Sequence, residues 1–221
     1  GIGFGTIFLK KGYSLQRTYA LSKLESAMMP AIQVGLLVLV VTAPAFIFFS
    51  QKGPGAMHAP WLISLAAGLV VGGLSQFSRL CTVGGFRDLF LFKKSILIFG
   101  YLAVLIGVFV VNISFGNFHL GFENQPIAHT DGLWNFLGMA LAGFCSVLLG
   151  GCPLRQLIMT GEGNSDSAVT VLGLAAGAAF AHNFGLAASG AGPTLNGEIA
   201  VGVGFVVAFI IAVLNTKRSN A

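Results

Sequence analysis

The chain has 221 residues, of which 55% are hydrophobic and 9% charged; so apolar a balance excludes an ordinary soluble domain and places the polypeptide in a bilayer. The formal net charge of +5 is not a nucleic-acid footprint, because the basic residues fall in alternate loops, as membrane topology requires. Three cysteines are too few for a disulfide framework. No CxxC and no Cys/His cluster of zinc-ligand spacing occurs, so neither a metal nor another cofactor is expected.

The first ten residues, GIGFGTIFLK, are apolar but shorter than the roughly 20 residues that cross a bilayer. They read as the tail of a preceding span that runs from outside to inside and ends at Lys10 and Lys11, so that more chain precedes Gly1; a cleaved signal peptide is the competing reading. Six complete spans follow, at about 31–49, 59–76, 95–113, 133–150, 168–188 and 199–214, the fourth and sixth short. The expected fold is all-α: one polytopic transmembrane domain over 1–221, with short or broken re-entrant helices and an internal pseudo-repeat.

Lys10, Lys11, Arg17 and Lys23 precede the first span. Arg79, Arg87, Lys93 and Lys94 separate the second from the third, Arg155 follows the fourth, and Lys217 and Arg218 close the chain. All fall on one side, read as cytoplasmic together with the C-terminus. The opposite loops hold only Lys52 among the cations, with His119, Glu123, Asp131 and Glu198. Trp61 and Trp134 sit at outer span starts, where an indole favours the headgroup level.

Cys81, in SQFSRLCTVGGFRDLF, stands just beyond the second span; Cys152, in LLGGCPLRQL, stands just beyond the fourth. Each is followed by small or helix-breaking residues and then an arginine. Pro153, Gly150 and Gly151 break the helix beside Cys152, and broken helices at membrane depth are tolerated where they line a cavity or are buried in protein. A buried cysteine is often only a small hydrophobe, but beside such a break, with Arg155 close by, a thiol has its anionic form favoured. Cys145 precedes Cys152 by seven residues, which on a continuous helix puts both on one face about 10 Å apart; packing is the plainer reading for it. His182 and Asn183 fall inside the fifth span, where they read either as an interhelical hydrogen-bonding pair or as donors lining a path. Asn164, Ser165 and Asp166 are candidates to cap that helix.

Taken together, HAPWLISLAAGLVVGGLSQFSRLCTVGGFRDLF, ENQPIAHTDGLWNFLGMALAG, LLGGCPLRQL, GEGNSDSAVTVLG and GAAFAHNFG resemble the YedE-related selenium-metabolism membrane proteins of the wider YeeE/YedE group of sulfur-compound transporters. The resemblance spans nearly the whole chain and matches the C-terminal half of longer members, which implies an N-terminal half with its own cysteine motifs. It implies an all-helical fold with internal pseudo-symmetry in the bacterial cytoplasmic (inner) membrane. It further implies cysteine thiols that hand a sulfur anion inward along a narrow path. Carried onto this chain, the thiols are Cys81 and Cys152, with Arg79, Arg87 and Arg155 as nearby positive charge. A TusA-like sulfur-carrier protein on the cytoplasmic side is the implied partner, besides membrane lipid and the anion itself.

The expected function is therefore transport of a small sulfur- or selenium-containing anion, thiosulfate-like, with Cys81, Cys152, Arg155, Arg79, Arg87, Cys145, His182 and Asn183 as the candidate binding residues. The scarcity of carboxylates in the spans disfavours a cation path. The alternatives are a membrane thiol-dependent sulfur or selenium transferase, with Cys152 forming a covalent persulfide or selenosulfide, and a scaffold subunit with inert cysteines.

Overall fold

The computed structural model describes residues 1–15, 22–46, 56, 59–121 and 129–216. Arg17, Lys52, Glu123, Lys217, Arg218 and the expected end of the first span at Phe49 lie outside the described residues. Within them the protein is all-helical: α1 Ile2–Lys10, α2 Lys23–Thr42, α3 Trp61–Ser78, α4 Thr82–Phe92, α5 Ile96–Ser114, α6 Gly132–Leu148, α7 Pro153–Gly161, α8 Ser165–Asn183 and α9 Leu195–Leu214. Four helical runs are long and apolar enough to cross a membrane: Trp61–Phe92, Ile96–Ser114, Gly132–Gly161 and Leu195–Leu214, with Ala27–Thr42 a shorter apolar helix. The fold is that of a polytopic membrane protein. The expected fifth span coincides with α8, which is not among the four runs; Asp166 in its first turn and His182 in its last make its ends polar.

Most large apolar side chains of α3, α5 and α9 point outward, and α5 buries none of its residues. Helices apolar all round are stable only when something other than water surrounds them. The interior is correspondingly small. Its larger cluster joins Tyr13, Phe144, Leu148, Ala208 and Ala212, so that α6 and α9 meet at one-turn spacing, with Phe8, Leu141 and Phe205 packed around them. Phe4 stacks edge-on against Phe144 at 5.1 Å and Phe8 against Phe209 at 5.8 Å.

The segment expected as the tail of a span, α1, thus lies in the middle of the packing, against both α6 and α4. Glycines permit that approach: a Cβ on Gly5 would come within 2.8 Å of Val147 Cβ. Just after α1, the Tyr13 hydroxyl donates to the Leu148 carbonyl at 3.2 Å, satisfying one of the carbonyls that the end of α6 leaves without an intrahelical partner.

Two of the four membrane-capable runs are broken, and they break alike. At the end of α3, Leu80 N–H returns to the Ser75 carbonyl at 3.1 Å and Arg79 N–H to Gln76 at 3.2 Å; at the end of α6, Gly151 N–H returns to Ser146 at 3.0 Å and Gly150 N–H to Val147 at 3.1 Å. Both are Schellman closures that need a left-handed residue, Arg79 at φ 51 and Gly150 at φ 82. Two residues beyond each left-handed residue, Cys81 and Cys152 become the N-caps of α4 and α7. Each break is therefore the unit helix, left-handed turn, cysteine, half-helix, and Ser75, Arg79 and Cys81 stand in the register of Ser146, Gly150 and Cys152. The expected internal repeat takes this form.

Candidate functional site

With 11 and 9 residues, α4 and α7 are about 16 and 13 Å long, too short to cross a hydrocarbon core of roughly 30 Å. Their N-terminal ends meet. Cys81 and Cys152, 7% and 5% exposed, are buried in one cluster with Val83 and Val147, walled by Ile2 and Leu9 of α1 and by Leu154. The two cysteines pack together in that cluster. Gly84 N–H donates to Cys81 Sγ at 3.2 Å. The sulfur of Cys81 thus accepts from the first turn of its own half-helix, while the Cys152 side chain makes no such cap bond to α7. Close packing at the caps depends on Gly84, where a Cβ would sit 3.2 Å from both Cys81 Cβ and Sγ.

This arrangement collects, in an apolar enclosure, two soft sulfur atoms and the positive ends of two helices. Helix N-termini favour negative charge through their free N–H groups and dipoles, and thiols supply weak donors and polarizable contact. Chemically it suits an anion with a soft terminal atom better than a hard cation.

The three arginines differ. Arg155 is committed: its guanidinium donates to Gln76 Oε1 at 3.0 Å and lies 3.7 Å from Glu162 Oε1, and Gln76 in turn donates to Glu162. That triad ties the end of α3 to α7. Arg87 pairs with Asp88 at 2.9 Å. Arg79, exposed beside Cys81, has no hydrogen-bond or ion-pair partner for its guanidinium among the described residues. A groove of about 550 Å³ runs between α3 and α7, with Gln76 and Glu162 at its polar edge and Leu154, which also packs on the cysteines, in its wall.

The remaining sequence candidates lie elsewhere. Cys145 packs into the larger cluster with Tyr13 and Ala208. The continuous-helix argument that aligned it with Cys152 does not hold, since α6 stops at Leu148 and Cys152 belongs to the cap of α7. His182 and Asn183, both exposed at the end of α8, are outside the cysteine cluster, and Asn183 donates to the Ala179 carbonyl of its own helix at 2.8 Å. Asn164 is the N-cap of α8, its Oδ1 accepting from Ser167 N–H at 2.9 Å. Sequence reasoning missed the α1 wall formed by Ile2 and Leu9. The role of α1 carried no local signal.

Fold and site together define a polytopic membrane protein whose broken helices bring paired thiols into its interior. A family model described as sulphur transport matches residues 77–216, well over half of the chain and including both cysteine turns, and the chain belongs to that family, the YeeE/YedE group. No curated protein and no solved structure shows a match to the chain.

Proposed function

We propose that the protein carries a small sulfur- or selenium-containing anion of the thiosulfate type across the bacterial cytoplasmic membrane, and that Cys81 and Cys152 form one station on its route. The observation that carries this reading is the packing together of two buried cysteines where two half-helix N-termini meet. A terminal sulfur or selenium would lie between the thiols while its charged oxygens face the N–H groups of α4 and α7. Arg79 draws the anion to the mouth, and Arg155 holds α7 to α3 so that the caps stay aligned. The basic loops set the cysteine turns on the cytoplasmic side, where a TusA-like carrier would receive the sulfur compound. His182, Asn183 and Cys145 are accessory to this route. No covalent intermediate is needed, so the protein acts as a transporter and not as a transferase.

Proteoliposomes holding the full-length protein should take up labelled thiosulfate, selenite or a related chalcogen anion faster than empty vesicles, and Cys152→Ala should slow that uptake by roughly tenfold or more. Wild-type uptake by Cys152→Ala would overturn the reading.

A further inference from the structure

At the end of α6 remote from the cysteines, a cleft of about 250 Å³ opens between the first turns of α6 and α9, with His129, Trp134, Asn135, Pro193 and Glu198 in its lining. It is firmly built. Thr194 caps α9 by accepting from Gly197 N–H at 2.9 Å and donates its hydroxyl to the Gly185 carbonyl at 2.7 Å, while Asn196 donates to the Phe184 carbonyl at 3.1 Å. At Gly197 a Cβ would come within 2.5 Å of the Leu186 carbonyl oxygen, so a side chain there would force the wall apart.

The charge in this cleft is one-sided. Glu198 is half-buried, and its carboxylate has no hydrogen bond or ion pair among the described residues. Among the described residues, no lysine or arginine lines the cleft. His129 Nδ1 accepts from Asp131 N–H at 3.3 Å, which leaves the proton of a neutral imidazole on Nε2. Among the described residues, further titratable groups on this side are Asp131, engaged as the N-cap of α6, His182 in the last turn of α8, and His119. A half-buried carboxylate with an indole nearby and no lysine or arginine beside it among the described residues is suited to a small cation and hostile to an anion.

An anion transporter has a use for such a site. A dianion moving into a compartment at −100 mV is held out by a factor on the order of 10³, so accumulation needs positive charge to travel with it. We propose that the cleft loads a co-transported monovalent cation, a proton or a sodium ion, onto the Glu198 carboxylate. This rests on the transport reading above. Once neutralised, Glu198 no longer repels the anion at this end of α6, so that cation loading and anion admission are thermodynamically linked.

The test uses the full-length protein in proteoliposomes clamped at zero membrane potential, with labelled thiosulfate and an inward gradient of either protons or sodium. One of the two gradients should drive wild-type accumulation above the external concentration, about tenfold for a tenfold gradient at one cation per anion. Glu198→Gln should lose that accumulation while retaining downhill thiosulfate counterflow. Gradient-driven accumulation by Glu198→Gln would overturn the proposal, as would wild-type flux indifferent to both gradients with counterflow intact. Loss of counterflow along with accumulation in Glu198→Gln would assign the residue to the packing of α9, which also overturns it. Absence of counterflow in the wild type is a separate result and refutes the transport reading itself.

Discussion

Alanine in place of Cys81, of Cys152 and of both asks whether the two thiols act as one station. Each side chain is almost fully enclosed, at 7% and 5% exposure, so each substitution removes one sulfur atom from a packed cluster and leaves a void of about that size. The expected cost to folding is about 1 kcal/mol per site, small beside the stability of a domain. The effect on function should be larger. A hydrogen bond to a charged group contributes about 1.5–3 kcal/mol, so losing one thiol contact should lower kcat/KM by roughly 10- to 150-fold. Because both sulfurs border the same position, the second substitution meets a contact already broken. The double variant should therefore fall well short of the product of the two single losses, with a coupling of about 1 kcal/mol or more. Initial-rate thiosulfate uptake in proteoliposomes gives the three ratios, and a monodisperse elution profile confirms folding. Losses that multiply independently would refute the single station, and a wild-type rate in either single variant would remove that thiol from the route.

Three further substitutions follow from the geometry. Arg79→Gly relieves a left-handed non-glycine residue at φ 51 and should raise stability by about 1 kcal/mol while raising the KM for the anion; a lowered Tm or an unchanged KM would contradict the role given to Arg79. Gly5→Ala places a Cβ 2.8 Å from Val147 Cβ and 3.3 Å from Phe144 Cδ2, which should cost about 1–3 kcal/mol by overpacking and slow transport by shifting Val147 against the cysteines. An unchanged Tm in detergent would show that α1 does not press on α6 as described. Arg155→Lys cannot reproduce a fork that reaches Gln76 and Glu162 together, so uptake should weaken with membrane insertion unchanged; a wild-type rate would reduce Arg155 to a topology signal.

Helices and their breaks were legible because membrane physics writes them locally. Apolar runs mark α3, α5, α6 and α9, and Gly150, Gly151 and Pro153 announce the turn before α7. The matching turn before α4 was not announced, since Arg79 in a left-handed conformation has no sequence signature. The seven-residue spacing of Cys145 and Cys152 misled for a related reason: it assumes helix continuity that the same two glycines abolish. Short apolar segments carry no address either, so nothing in α1 told that Ile2 and Leu9 form the wall behind the thiols. Glu162 and Gln76 could not be paired with Arg155 in advance, because Gln76 and Arg155 meet only through the packing of α3 on α7. What sequence did convey was that Cys81 and Cys152 each stand at a helix break; that the two breaks bring them into one buried cluster is a product of tertiary structure.

Ligand protection of the thiols tests that apposition most directly. The full-length protein in detergent is treated with N-ethylmaleimide over a series of thiosulfate concentrations, and modification of Cys81, Cys145 and Cys152 is followed separately by peptide mass spectrometry. One station predicts that Cys81 and Cys152 are protected together, with a common midpoint, while the labelling of Cys145 does not change. Separate midpoints for Cys81 and Cys152, or undiminished labelling of either at saturating thiosulfate, would contradict it.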